Sequence, residues 1–122
     1  MDIAYNGFRV TCTAFLDSGN RVCDTVTGLP VVVLGMRVGM KLLTDEQLSQ
    51  VMLGKSVAGG RFETFRTAAG QGKILLVKPQ KITLYVMDKE NILDNVMLGL
   101  SFSRFHDAEE YDAILSPTVL QT

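Results

Sequence analysis

The sequence predicts a mainly β protein of one domain with one short helix, and three observations carry that reading. Segments rich in β-branched and aromatic residues recur along the chain, separated by Gly, Pro and Asp-Asn punctuation. A single segment, after Thr44, carries helix signals at both of its ends. Finally, 122 residues with 47% hydrophobic content and a net charge of -1 describe one packed core, not a disordered tail. No internal repeat or linker divides the chain, so residues 1–122 are expected to form one domain.

In chain order the predicted strands are 5–16, 29–34, 61–67, 73–78, 81–87, 95–98 and 111–115. Between the second and third lies the helix. Thr44 is placed to N-cap it, Gln47 to complete a capping box, and Leu43 and Leu48 to form a hydrophobic staple. Gly54 stands where a C-terminal cap belongs, and Leu48, Val51 and Met52 form the stripe expected to pack on the sheet. Residues 54–60 read as a glycine-rich loop.

The chemistry-bearing motif is Asp17-Ser18-Gly19-Asn20, which follows an apolar, strand-like run over 8–16. A carboxylate delivered at a strand end, a hydroxyl beside it to brace the loop and a glycine for the sharp turn suit a catalytic acid. By composition Asp-Ser-Gly arises in about one chain in thirty of this length, and a plain β-turn uses the same residues. The motif therefore gains weight only from its company. Val96-Met97-Leu98-Gly99-Leu100 supplies an apolar pair followed by glycine, the pattern of a strand that admits close backbone approach. Residues 65–72, followed by the apolar run of 73–78, predict a hairpin with a small-residue tip. Gly70-Gln71-Gly72 lacks the lysine and helix start that a phosphate-cradling loop requires.

Together with Thr27-Gly28-Leu29-Pro30-Val31 and Tyr111-Asp112-Ala113-Ile114-Leu115-Ser116-Pro117, these motifs resemble the retropepsin-like aspartic protease domain of the sporulation sigma-E factor processing peptidases. That is the stage II sporulation protein GA family of endospore-forming bacteria, and the likeness runs from about Val10 to Leu120. The resemblance implies a retropepsin-like acid protease barrel subunit, with one short inserted helix and an active site formed at a homodimer two-fold axis. Asp17 would be the catalytic carboxylate, Ser18, Gly19, Leu98 and Gly99 its loop support, and Thr67, Ala68, Ala69, Gly70, Gln71 and Gly72 the substrate-binding flap. Arg66 and Thr67, placed at the flap's base, are candidates for contact with the substrate backbone, and Asn20 for positioning the next turn. One Asp-Ser-Gly per chain requires two chains per site, because the mechanism needs two carboxylates sharing a proton.

The implied reaction is endopeptidase removal of the pro-segment of an inactive sigma factor during endospore formation. The implied partners are a second copy of the chain, the pro-sigma substrate and, as a candidate, an activating protein. Family members carry a membrane-embedded N-terminal half. The present chain is thus expected to be the detached protease half of a protein held at the cell membrane, facing the cytoplasm. Its own apolar runs, 31–34 and 74–77, are far shorter than the roughly 20 residues of a membrane helix.

Twelve Lys and Arg against thirteen Asp and Glu leave no bulk positive field, and Arg61, Arg66, Lys73, Lys78 and Lys81 are scattered, so no nucleic-acid partner is expected. No metal or cofactor is expected either: there is one histidine, His106, which reads as a surface residue beside Asp107, and no Cys-x-x-Cys pair. Cys12 and Cys23 flank the motif and read as reduced, Cys12 in the core and Cys23 near the loop. Asp24, the next carboxylate, is a rival partner for Asp17 within one chain, though a turn role before Thr25 and Thr27 suits it better. Asp88, Asp94 and Asp112 read as turn or solvent-facing residues. Two other classes compete with the enzyme: a non-catalytic retropepsin-like module for peptide binding or dimerisation, and an unrelated small β-barrel.

Overall fold

The computed structural model describes residues 1–17, 23–67, 70–102 and 112–121, with side chains at 65–67, 70, 71 and 121 excepted. The protein is mainly β. Strands β1 (Asp2–Tyr5) and β2 (Phe8–Thr11) form a hairpin, followed by β3 (Ala14–Leu16) and β4 (Val31–Leu34). Two short helices, α1 (Met36–Gly39) and α2 (Asp45–Met52), come next. Strands β5 (Arg61–Thr67), β6 (Gly70–Val77), β7 (Lys81–Val86), β8 (Lys89–Ile92), β9 (Met97–Ser101) and β10 (Ala113–Leu115) complete the chain.

These strands make a four-stranded sheet in the order β2-β1-β7-β8 and a six-stranded sheet in the order β3-β10-β4-β9-β6-β5. The expected barrel is not closed: among the described residues the sheets remain separate, with β2, β8, β3 and β5 at their edges. They share one core. Ile3, Tyr5, Ile82 and Leu84 from the smaller sheet pack with Val32, Leu34, Leu75, Val77, Leu98 and Leu100 from the larger. The central strands β4 and β9 are buried along their whole length, which is why β4 reads as an unbroken apolar run.

The predicted strand over 5–16 is three strands. Asn6 and Gly7, at φ 57° and 80°, make the tight turn between β1 and β2, an Asn-Gly hairpin signal that outweighs the β-propensity around it. Strand β8 was not expected, because Lys-Glu-Asn-Ile on an outer edge has no apolar alternation. Helix α2 follows the expectation closely. Thr44 accepts from the Gln47 N–H while the Gln47 side chain accepts from the Thr44 N–H. At its other end Gly54 takes φ 81°, with the N–H groups of Gly54 and Lys55 returned to the carbonyls of Val51 and Gln50. Leu43 and Val51 are buried and Leu48 packs on the core, but Met52 is 70% exposed: it lies in the last turn, off the face that meets the sheet.

Candidate active site

The site region is built on the face of the larger sheet that looks away from the shared core. Because alternate residues of a strand point to opposite faces, Val31 and Val33 of β4, Ile74 and Leu76 of β6 and Met97 of β9 form a second, smaller apolar cluster there, joined by Leu29 and Ile114. Gly99 lies on this face too, in register with Val33 and Leu76. A Cβ at Gly99 would stand 2.8 Å from Val31 Cγ1 and 3.1 Å from Ile74 Cδ1, so glycine is what lets the two neighbouring strands' side chains meet across β9. Its neighbour Leu98 points the other way, fully buried in the shared core.

Asp17 leaves the end of β3 at the edge of this sheet. Strands β3 and β4 are antiparallel yet not adjacent: β10 runs between them, parallel to β3 and antiparallel to β4. The connection between β3 and β4, here called the arch, therefore has to pass β10; the structure describes its two ends, Asp17 and residues 23–30, and the Asp17 N–H anchors the first by donating to the Leu115 carbonyl at 2.8 Å. Asp17 is half-buried. Ser18, Gly19 and Asn20 lie outside the described residues, as do His106, Asp107 and Tyr111.

The arch returns through a tight turn. The Asp24 N–H donates to the Leu29 carbonyl (2.8 Å), the Gly28 N–H to the Asp24 carbonyl (2.7 Å), and Cys23 bridges Pro30. Asp24 is a turn residue, as read from the sequence, but a fully buried one. Its carboxylate accepts from the Val26 N–H (2.9 Å), the Thr27 hydroxyl (2.9 Å) and the Arg61 guanidinium. A carboxylate so engaged is a structural anchor and a poor general base. Asp112, paired with Arg37, has only a minor exposed fraction, whereas Asp88 sits in the β7–β8 turn at φ 67°.

The predicted hairpin is present as β5 and β6, in register from Arg61 opposite Leu76 to Thr67 opposite Gly70. Its two-residue connection, Ala68 and Ala69, lies outside the described residues. Gly70, Gln71 and Gly72 belong to strand β6 instead of the tip, and Arg66 and Thr67 stand next to the tip, not at the base. The base is Arg61 with Leu76. Both cysteines are free: Cys12 is buried, and burial pushes its thiol up to about 11, while Cys23 is exposed. The described residues contain no group of three His, Cys, Asp or Glu side chains placed to hold a metal ion, and no helix among them is long and apolar enough to cross a membrane.

Comparison with known families places the chain in a class of peptidases tied to sporulation. The family described as Sporulation factor SpoIIGA matches residues 1–119, and the chain belongs to that family. No curated protein and no solved structure matches it. The involvement of Arg61 and Glu63 with the loop after Asp17 was missed from the sequence. No local signal marks it, since the partners are separated by 37 and 38 residues.

Proposed function

We propose that this peptidase domain is a retropepsin-like aspartic endopeptidase that removes the pro-segment of an inactive sigma factor, with Asp17 from each of two subunits forming the catalytic pair. The observation that carries the reading is the delivery of Asp17 by an edge strand, at the start of an arch between β3 and β4. Phe15 and Leu16, 46% and 48% exposed directly before it, offer apolar area beside a two-fold axis. Ser18 and Gly19 would brace the arch, Gly99 would permit the close packing beneath it, and Leu98 would hold β9 in the shared core. The hairpin bearing Thr67, Ala68, Ala69, Gly70, Gln71 and Gly72 would cover bound peptide and exclude water.

Two Asp17 carboxyls in contact share one proton, since both cannot ionise together. The ionised one takes a proton from water as the water oxygen bonds to the scissile carbonyl carbon, and the protonated one gives its proton to the carbonyl oxygen. Collapse of that intermediate breaks the C–N bond as the departing nitrogen takes a proton from the first carboxyl and the second carboxylate takes one back from a hydroxyl of the intermediate, which restores the shared proton. In the whole protein this domain would face the cytoplasm from the cell membrane, where a membrane-embedded half would hold two copies at high effective concentration and an activating protein could set their alignment.

The test is Asp17→Asn, isosteric but unable to act as a base. It should abolish processing of a pro-sigma substrate while the far-UV and near-UV circular dichroism stay those of the wild type. Retained cleavage by the folded variant would overturn the assignment and leave a different nucleophile to be found.

A further inference from the structure

Asp24 has no exposed surface, so its charge must be met inside the protein. Two of its donors, the Val26 N–H and the Thr27 hydroxyl, only close its own turn. The third, Arg61, belongs to the first residue of β5. A nitrogen of the same guanidinium lies 3.4 Å from Glu63 Oε1, and the Thr25 hydroxyl donates to Glu63 in turn. Arg61 and Glu63 are two residues apart on one strand and so share a face, the one on which the arch from Asp17 comes down.

Their position along the hairpin matters. Strand β6 is held by β9 from Ile74 to Val77, and the partners of Glu63 and Arg61 on β6 are Ile74 and Leu76. The cluster therefore grips β5 over the last rungs that the sheet supports. From Thr64 opposite Lys73 to Thr67 opposite Gly70, the hairpin strands pair only with each other among the described residues. One nitrogen of the guanidinium, Nη2, meets both Asp24 Oδ1 and Glu63 Oε1, and charge-assisted contacts of this kind are directional where an apolar contact would tolerate sliding.

We propose that Asp24, Arg61 and Glu63, with Thr25, are positioning residues that set how the β5–β6 hairpin leaves the sheet relative to the arch that begins at Asp17. The proposal rests on the hairpin acting as the cover over bound peptide. It ties the two sides of the site within each chain, so that the arch and the cover keep one alignment before substrate arrives.

Amide hydrogen exchange and peptidase kinetics on the same domain test it. Arg61→Gln should raise exchange over residues 62–73 about tenfold or more beyond the rise in β4 and β9, whose amides report the loss of global stability. With a pro-sigma substrate it should lower kcat/KM about tenfold, mainly through KM, because ordering of the bound peptide is lost and the Asp17 chemistry is not. Arg61→Lys should recover part of both, since it restores a cation opposite Asp24 and Glu63 but on a shorter, more flexible stem with a more strongly hydrated charge. Thr25→Val, which removes a single exposed hydroxyl, should reproduce the hairpin effect more weakly and serves where Arg61→Gln does not fold. Unchanged hairpin exchange, or exchange that rises equally in β4 and β9, would overturn the proposal and leave the cluster a purely structural ion pair. Cleavage retained by Asp17→Asn would instead overturn the catalytic assignment, and the exchange pattern would still decide the role of Arg61.

Discussion

Asp17 and Asp24 belong to the same arch between β3 and β4, yet the fold treats them in opposite ways. Asp17 is half-buried at the end of an edge strand, secured through its backbone N–H to Leu115. Asp24 is sealed from solvent and its oxygens are taken up by Val26, Thr27 and Arg61. The difference teaches that a carboxylate's capacity for chemistry depends on what already holds its oxygens, and not on its distance along the chain from a motif. Asp24 would have been the means of completing a site within one chain. Its engagement with Arg61 leaves its oxygens unavailable for that role.

Removing each carboxylate in turn gives the largest effects and breaks the comparison if they coincide. Asp17→Asn should cost at least about 10³-fold in kcat, the scale of lost general acid–base catalysis, with stability changed by less than about 1 kcal/mol. Asp24→Asn should do the reverse. Loss of one partner of the buried pair should lower stability by about 2–3 kcal/mol, short of the full penalty because the Arg61 side chain is 37% exposed and keeps water contact. At this chain length that is a fall of roughly 10 °C in Tm, read by thermal unfolding. Folded Asp24→Asn should retain measurable cleavage. An Asp24→Asn protein that is stable but inactive would move the catalytic role to Asp24.

Mixing sharpens the same contrast. If each site takes one Asp17 from each of two chains, an equal mixture of wild-type and Asp17→Asn chains should keep about one quarter of the wild-type activity, since only the all-wild-type dimers are complete. Specific activity should also fall on dilution, following the dimer population. One half of the activity, with no dependence on dilution, would mean that one chain holds a whole site.

What was legible in the sequence divides along the same line between local and distant partners. Thr44 and Gln47 bond to each other's backbone within one turn, so the helix start was readable from four residues. The strands expected over 29–34 and 73–78 were readable for a similar reason, because the apolar runs inside them, 31–34 and 74–77, are what strands covered on both faces require. The run over 5–16 was divided wrongly, since its strand propensity was weighed above the Asn6-Gly7 turn signal inside it. The hairpin at 61–77 was found but its tip was misplaced, because glycine marks turns more often than it marks strands. Burial of Asp24 could not be seen at all: it depends on Arg61, brought near by the folding of the whole sheet.

Gly99 gives a smaller effect and probes the floor beneath the arch. Gly99→Ala places a Cβ 2.8 Å from Val31 Cγ1, on a stiff branched side chain of a central strand, and 3.1 Å from the more yielding end of Ile74. Overpacking of this kind should cost about 1–3 kcal/mol, measured by urea unfolding. The strain falls on β4 and β6 of the smaller cluster, so activity should fall further than the loss of folded protein explains. Leu98→Val, on the opposite face of the same strand, should cost about 1 kcal/mol through a lost methylene and leave activity per folded molecule unchanged. Equal effects of the two on activity would show that the faces of β9 do not differ in their bearing on the site.

The cysteines repeat the buried-against-exposed contrast at the smallest amplitude. Cys23, exposed beside Asp24, should alkylate readily at pH 8, whereas Cys12 should resist, because burial holds its thiol near 11 and keeps the thiolate scarce. The raised value also carries a sign for stability. An unfolded chain ionises Cys12 near the ordinary value of 9 while the folded chain does not, so this contribution is complete below pH 9 and disappears as pH climbs toward 11. Combining the thiol with the carboxylate then separates local from global opening. If Asp24 anchors only the turn and the hairpin root, Asp24→Asn should speed labelling of Cys12 no more than its loss of global stability predicts, because Cys12 sits in the shared core on the other side of the six-stranded sheet. Faster labelling of Cys12 than unfolding allows would mean that the Asp24 cluster also secures the packing of the two sheets, and the division between a site face and a core face would have to be abandoned.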